Sequence, residues 1–331
     1  MHRDAYGDRL LAAYDVAFPQ AVVSVTTTSA PTEVAWDVDD AAAAARINLS
    51  VPTLDRALGR VGRAAERAGL CIPHLLADVS QDGRRRASPR LLAAVRSGAK
   101  LSAGQKAELA QLTDKPLRVA LTAAYAANRC RGEAYARACV PVFLKLGDQG
   151  HANLLVLAWA EGTLEAALYE PNGAAAAEEY GTVDAYFATF ADDVGSYLME
   201  PRRVTFRVVG QGFQTALGET SRTRRGMTVI TRHRGYPVCE AVVLYVMHRY
   251  MAQGPAVDLA AFEGDLLEDL AASRAGLLKF VEDLAAWVRR SYASAAAARL
   301  RAIFRNSNVV ACDLRYGAIA VTVELATESF A

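Results

Sequence analysis

The chain has 331 residues, with 37 Lys and Arg against 36 Asp and Glu, so its formal net charge is +1. Apolar residues make up 52% and charged residues 22%, which is enough for a full core and excludes a wholly disordered chain. At about 150 residues per domain, the length predicts one large domain or two ordinary ones. The balanced charge argues against a protein that binds mainly by neutralising phosphates.

Membrane and secretion signals are absent from the sequence pattern. No apolar run reaches the roughly 18 residues of a membrane span, and the charged segment 1–11 lacks the apolar stretch of a signal peptide. We therefore expect no membrane partner. The cysteines are odd in number, widely spread and form no Cys-x-x-Cys pair, which favours free thiols in a reducing compartment over a disulfide framework. They are Cys71, Cys130, Cys139, Cys239 and Cys312.

Residues 1–140 are predicted to form a mostly helical N-terminal extension. An extended stretch at 22–38 precedes four helices, which are expected from Pro52 to about Gly69, from Pro89 onwards, over 102–112, and from Pro116 to about Cys139. A loop at 81–88 carries Arg84, Arg85 and Arg86. We interpret these arginines as a solvated turn, with a phosphate or an acidic partner as the alternative.

Residues 141–331 have a different pattern, which alternates strands with helices. Strands are predicted at 151–159 and 164–169, joined by a tight turn at Glu161-Gly162, and again at 203–210 and 227–233. Aromatic and apolar residues spaced three and four apart over 178–198 predict one helix lying on the sheet. A helix is expected to begin near Cys239, two amphipathic helices to fill 257–304, and one or two strands to end the chain.

The helix that begins near Cys239 is apolar on nearly every side between Glu240 and Tyr250, which predicts a buried helix. A thiol in its first turn lies beside unpaired N–H groups and the positive end of the helix dipole, which stabilise a thiolate. A small apolar residue at a helix start is the ordinary alternative for a single cysteine. His248, two turns further on, is expected to be a core histidine.

His151 and Glu170 lie at the start of one predicted strand and at the end of the next. In an antiparallel hairpin those two positions are adjacent, so we expect the two side chains to be neighbours. A carboxylate beside an imidazole orients the ring and stabilises its positive charge. With Cys239 they form a Cys-His-acid set, the arrangement of nucleophilic catalysis. His233 is a weaker candidate base, because it lacks an acidic partner in an obvious position.

Four motifs in this order resemble the adenain and SUMO-protease-like cysteine peptidases, most closely those of large DNA viruses. They are His-x-Asn-x-Leu at 151–155, Glu-Pro-x-Gly at 170–173, Gly-x-Gln at 212–214, and the glycine-led approach GYPVC at 235–239. The resemblance covers about 143–250. It implies an α+β fold with a papain-like or adenain-like core: a central mixed sheet flanked by helices, with the nucleophile at the start of a buried helix. Residues 141–331 would be this peptidase domain.

The resemblance also implies a role for each residue. Cys239 would be the nucleophile, His151 the base, Glu170 the group that fixes the imidazole tautomer, and Gln214 the donor to the oxyanion. Gln211 is a rival for the last role, because the loop length leaves the register open. The sequence points to no cofactor and no metal; Cys71 and His74 have a metal-like spacing but no second pair.

The expected function is a cysteine endopeptidase that processes viral structural precursors after small residues, in a virion or host cytoplasm. Three alternatives stay open: a deubiquitinase or SUMO-type isopeptidase acting on host conjugates, a Yop-type acetyltransferase, and a catalytically decayed binding protein. The expected partner is therefore a protein or peptide substrate. Nucleic acid is not an expected partner, except for weak contact through Arg84–Arg86 or Arg222–Arg225.

Overall fold

The computed structural model divides the chain into two compact units, one made of Met1–Arg56 with Ala275–Ala331, the other of Ala57–Arg274. The structure describes the following residues: 5–17, 21–26, 70–73, 75, 77–80, 82–131, 136–146, 149–160, 162–200, 202–217, 219–224, 227–232, 238–253, 258–268, 275–287, 311–316 and 319–324.

The unit made of the two chain ends contains a three-stranded antiparallel sheet. Its described elements are α1 (Ala5–Ala17), β1 (Ala21–Thr26), the helical residues 275–287, β10 (Ala311–Tyr316) and β11 (Ile319–Glu324). The strand order is β1-β10-β11, with Val23 opposite Leu314 and Leu314 opposite Val321. The strands expected at the end of the chain are confirmed.

The unit Ala57–Arg274 contains the candidate site residues. Its strands are β2 (Leu70–Cys71), β3 (Ala77–Asp78), β4 (Arg137–Leu146), β5 (Gln149–Ala160), β6 (Thr163–Tyr169), β7 (Arg203–Val209), β8 (Glu219–Arg224) and β9 (Met227–Arg232). Its helices are α2 (Pro89–Ser97), α3 (Ala103–Ala110), α4 (Lys115–Arg129), α5 (Ala174–Glu179), α6 (Thr182–Tyr186), α7 (Phe190–Tyr197), α8 (Phe213–Leu217), α9 (Cys239–Gln253) and α10 (Leu259–Glu268).

A mixed sheet with the order β2-β4-β5-β6-β7 forms the centre of this unit, and β3 also pairs with β4. The β4/β5 and β5/β6 pairs are antiparallel, whereas β2, β3 and β7 run parallel to their neighbours. β8 and β9 form a separate hairpin. The unit is therefore α+β, with a mixed central sheet flanked by helices, in agreement with the expected fold class at this level.

The central strand β5 is buried on both faces. Successive side chains of a strand point to opposite faces. Leu155 and Leu157 belong to the core cluster that includes α4, whereas Leu154 and Val156 are buried at the opposite face, where α9 packs on β5. This double burial explains why β5 reads as a nearly continuous apolar run.

Helix starts agree well with the sequence expectations, but two predicted helices are wrong in extent. α2 begins at Pro89 behind the cap Ser88, as expected. The helix expected to reach Cys139 ends at Arg129, because Arg137 already begins β4. The single helix expected over 178–198 is three short ones, α5 to α7, interrupted at Gly181, where φ is +63°.

The division expected at residue 140 falls inside β4. The described helices α2 to α4 pack with one another and, through α4, against the central sheet, so they lie in the same compact unit as the candidate peptidase core. The predicted helix behind Pro52 and most of the stretch 22–38 lie outside the described residues.

The expectation of free thiols is wrong for two cysteines. Cys71 in β2 and Cys130 at the end of α4 form a disulfide, with 5.6 Å between their Cα atoms and 59 residues between them in sequence. The disulfide joins β2 to the end of α4, two elements far apart in the sequence, and no local pattern encodes that pairing. Cys139 and Cys239 are free and buried, and the side chain of Cys312 lies outside the described residues.

Candidate active site

Cys239 is the first residue of α9, a helix buried along most of its length. The first helical hydrogen bond runs from the Val242 N–H to the Val238 carbonyl, at 2.9 Å. The N–H groups of the first turn precede this bond and point out of the helix end, as at any helix start. Cys239 itself is 7% exposed. The buried helix expected here is confirmed, but His248 is exposed and is not a core histidine.

His151 lies near the start of β5, opposite Leu144 of β4. Its Nε2 atom is 2.8 Å from Oε1 and 2.9 Å from Oε2 of Glu170, the residue that directly follows β6. Both side chains are buried, with His151 7% and Glu170 0% exposed. The prediction that the two are neighbours is confirmed, and antiparallel β5/β6 pairing is its cause.

The Glu170 carboxylate is held by more than the imidazole. Asn153 Nδ2 donates to its Oε2 at 2.7 Å, and the Asn172 N–H donates to its Oε1 at 3.0 Å. Asn153 is fully buried and follows His151 at the next same-face position of β5. A carboxylate fixed from three sides offers the imidazole one defined position.

Cys239 is hydrogen-bonded to the same imidazole. Burial lowers the pKa of His151, but the hydrogen bonds with Cys239 and Glu170, together with their charges, outweigh it and raise the pKa to about 9. The Nε2 atom of the ring faces Glu170. The three expected residues are therefore together, in the order thiol, imidazole, carboxylate.

An exposed aromatic ring lies beside this set. Tyr180, just after α5, makes an edge contact with His151, with 6.2 Å between the ring centroids. The Tyr180 side chain is 45% exposed. The imidazole therefore has Glu170 on its buried side and an aromatic ring toward solvent.

The segments 170–173 and 210–214 interlock. The Gln214 N–H donates to the Pro171 carbonyl at 2.9 Å, and the Glu170 N–H donates to the Val209 carbonyl at 2.8 Å. Gly210 has φ +146°, and a Cβ there would lie 2.3 Å from the Glu170 carbonyl oxygen. Only glycine fits such a contact. The backbone thus joins the Glu-Pro-x-Gly motif to the Gly-x-Gln motif next to Glu170.

The two glutamines proposed as oxyanion donors have different surroundings. Gln211 Nε2 donates to the Ala260 carbonyl of α10 at 3.0 Å, which uses one of the two N–H donors of this amide. Gln214 is half-buried in the first turn of α8. The choice of Gln214 over Gln211 as the oxyanion donor stays a prediction.

Two residues of the cluster were not expected from the sequence. The Asn153 contact has a local signal, because Asn153 is two residues after His151 in a strand and so shares its face. The other is Glu263, a fully buried carboxylate of α10 that binds Tyr169 and the segment 211–213. Glu263 is 93 residues after Glu170 in sequence (263 − 170), and no pattern links the two.

Several of the remaining candidates lie outside the described residues, namely His233, His74 and Arg225, as do the side chains of Arg222 and Arg224. Arg84, Arg85 and Arg86 are exposed. In the described part of the chain, no three His, Cys, Asp or Glu side chains are grouped as a metal site would require. None of the described helices combines the length and hydropathy needed to cross a membrane.

Comparisons with known proteins identify no family for the chain. No protein-family model matches it, and no curated protein matches it. Among solved structures, it is similar to the central domain of an uncharacterized protein from Legionella pneumophila, at 15% identity and a TM-score of 0.30. The match covers 53% of this chain and 81% of that chain.

Proposed function

We propose that the chain is a cysteine endopeptidase with a papain-like or adenain-like core. The observation that carries the proposal is the contact series Cys239, His151, Glu170, buried at the start of α9 and at the ends of β5 and β6. A raised His151 pKa of about 9 favours an imidazolium at neutral pH, which stabilises a neighbouring thiolate. A thiolate is the nucleophilic form of cysteine.

The reaction follows from these positions. The Cys239 sulfur attacks the scissile carbonyl carbon, and the carbonyl electron pair moves to oxygen. N–H groups at the start of α9 and the Gln214 amide stabilise this oxyanion. His151 gives its proton to the leaving amine as the C–N bond breaks, which leaves a thioester on Cys239. His151 then takes a proton from water, whose oxygen attacks the thioester carbon. The C–S bond breaks, its electron pair returns to the Cys239 sulfur as a thiolate beside the His151 imidazolium, and the carboxylic acid product leaves.

The substrate class follows from the resemblance of the four motifs. Viral enzymes with these motifs cut structural precursors after small residues, often glycine, and we propose the same class here, in a virion or host cytoplasm. The partner would be an extended peptide segment of another protein, bound without metal or cofactor.

The test is hydrolysis of a library of internally quenched peptides with Gly or Ala before the scissile bond. We expect cleavage by the wild-type chain and none by Cys239→Ala or His151→Ala. Cys139→Ala is the matched control: burial raises the pKa of this second free thiol to about 12, so it stays protonated and should be dispensable. Cleavage that survives in both Cys239→Ala and His151→Ala contradicts the proposal.

Two reagents separate the alternatives that use the same residues. A ubiquitin or SUMO probe with a C-terminal electrophile labels Cys239 if the chain is an isopeptidase. Acetyl-CoA leaves an acetyl group on Cys239 if it is an acetyltransferase. We expect neither label, and cleavage of the peptides. Failure of all three, with an iodoacetamide-inert Cys239, would indicate a decayed binding protein.

A further inference from the structure

Glu263 of α10 is a fully buried carboxylate with an unusual set of partners. Its Oε2 accepts a hydrogen bond from the Gln211 N–H at 2.5 Å. Its Oε1 accepts from the Phe213 N–H at 3.1 Å and from the Tyr169 hydroxyl at 3.0 Å. The Gly212 N–H also bonds to it. Three consecutive backbone N–H groups thus converge on one side chain.

The segment that Glu263 binds takes its shape through two glycines with positive φ angles. Gly212 has φ +90° and Gly210 has φ +146°, conformations that side-chain-bearing residues rarely adopt. On its other side the segment meets the backbone of Glu170 and Asn172, where Cβ atoms on these glycines would lie within 3.3 Å of carbonyl oxygens. Glu263 therefore holds, from α10, a turn that depends on these glycines and lies against the candidate site.

The turn leads directly into α8, whose second residue is Gln214. Tyr169, the fourth donor to Glu263, is the residue before Glu170. Glu263 thus bonds to the chain immediately before both Gln214 and Glu170.

We infer that Glu263 is a positioning residue for the proposed peptidase, which holds the segment 211–213 so that Gln214 is aimed at the oxyanion. The inference rests on the proposed function. Burying a carboxylate is costly unless its lone pairs are filled. Four donors fill the lone pairs of the Glu263 carboxyl oxygens, so this side chain holds the turn and does more than fill space.

The test is Glu263→Gln, which keeps the shape but places an NH₂ group against backbone N–H donors. We expect kcat on the best-cleaved library peptide to fall by about tenfold or more, with KM unchanged within about twofold, since the oxyanion forms only after binding. Glu268→Gln, an exposed carboxylate at the end of α10, is the matched control and should keep full activity.

A double-mutant cycle separates positioning from general damage. In a Gln214→Ala background, Glu263→Gln should cost less than about threefold, because the donor that it positions is already gone. An equal loss in both backgrounds, or an unchanged kcat in the single variant, overturns the inference. If Glu263→Gln does not fold, Tyr169→Phe removes one donor, and the same cycle is measured there with the same two outcomes.

Alkylation of Cys239 by iodoacetamide distinguishes a failure of the Glu263 inference from a failure of the proposed function. The alkylation rate depends on the thiol and imidazole and needs no oxyanion, so it should be the same in Glu263→Gln and wild type. A wild-type chain that cleaves no peptide contradicts the proposed function. A wild-type chain that cleaves, beside a Glu263→Gln variant of equal kcat, contradicts only the role of Glu263.

Discussion

Two buried polar clusters of the unit Ala57–Arg274 are built on different principles. Beside α4, the Arg118 guanidinium donates to the Asp78 carbonyl at 2.8 Å and to the Leu112 carbonyl at 3.1 Å. Asn128 donates to the Val95 and Tyr197 carbonyls, each at 2.9 Å, and accepts from the Met199 N–H at 2.9 Å. All these partners are backbone groups that the two side chains hold in place. We call this set the α4 cluster.

In the second set, which we call the site cluster, titratable side chains bind mainly each other. His151 contacts Glu170 and Cys239, and Asn153 donates to Glu170. Burying a histidine and a carboxylate costs several kcal/mol that their attraction only partly offsets. The α4 cluster connects loops and so contributes to stability. Apolar residues of similar size would stabilise the fold as well as the site cluster does. We therefore propose a chemical role for the site cluster.

The largest effect should come from Glu170→Gln, which removes the charge that stabilises the His151 imidazolium and aligns its ring. We expect kcat on the best-cleaved peptide to fall by about 100-fold or more, with the folded state retained. The exposed Glu165 lies on the same strand, so Glu165→Gln is the control, with unchanged kcat. A kcat within threefold of wild type for Glu170→Gln would remove the carboxylate from the mechanism.

Asn153→Ala tests the hydrogen bond that holds the Glu170 carboxylate in place. The variant loses the 2.7 Å hydrogen bond to Glu170, which lets the carboxylate rotate away from His151. A hydrogen bond to a charged group contributes about 1.5 to 3 kcal/mol, so we expect kcat to fall by about tenfold. Steady-state kinetics and a thermal melt of the same sample measure both effects. A large loss of stability with unchanged kcat would place Asn153 with the α4 cluster instead.

Asn128→Ala should lower the stability of the fold and leave kcat unchanged. The change leaves two buried carbonyls and one N–H without their partner, which lowers the free energy of unfolding by about 1 to 3 kcal/mol. Because Asn128 contacts only backbone groups of Val95, Tyr197 and Met199, kcat should stay at the wild-type value. Urea unfolding with peptide kinetics checks this. A kcat that falls with stability intact would mean that the two clusters are coupled.

The smallest effect is expected for Gln211→Ala. One N–H of its amide already donates to the Ala260 carbonyl, which ties the side chain to α10. We expect a kcat change below about threefold, against about 100-fold or more for Gln214→Ala. The reverse ranking would transfer the oxyanion role to Gln211.

The sequence predicted the site cluster better than its surroundings. The hairpin of β5 and β6 brings His151 to Glu170 through local antiparallel pairing, which a turn at Gly162 is enough to indicate. The burial of α9 follows from its apolar pattern. Both signals lie within short stretches of chain.

Features that join distant segments had no such signal. The Cys71–Cys130 disulfide spans 59 residues and joins β2 to the end of α4. Glu263 meets Tyr169 across 94 residues of sequence. The break between α5 and α6 is different, because a glycine inside a helical pattern, here Gly181, is a local signal of an interruption.

The central claim is that Cys239 and His151 act as a coupled pair, and an NMR titration of the His151 ring in the wild type and in Cys239→Ala tests it most directly. The ring signal is assigned with His151→Gln. We expect a pKa of about 9 in the wild type, above the ordinary value of about 6.5. The stabilisation from this group is then present below about pH 6.5 and is lost as the pH rises through about 9.

In Cys239→Ala the pKa of His151 should fall, because the hydrogen bond and the charge from Cys239 both raise it. A wild-type ring that titrates near 6.5, and that does not respond to removal of the thiol, would contradict the pairing of Cys239 with His151.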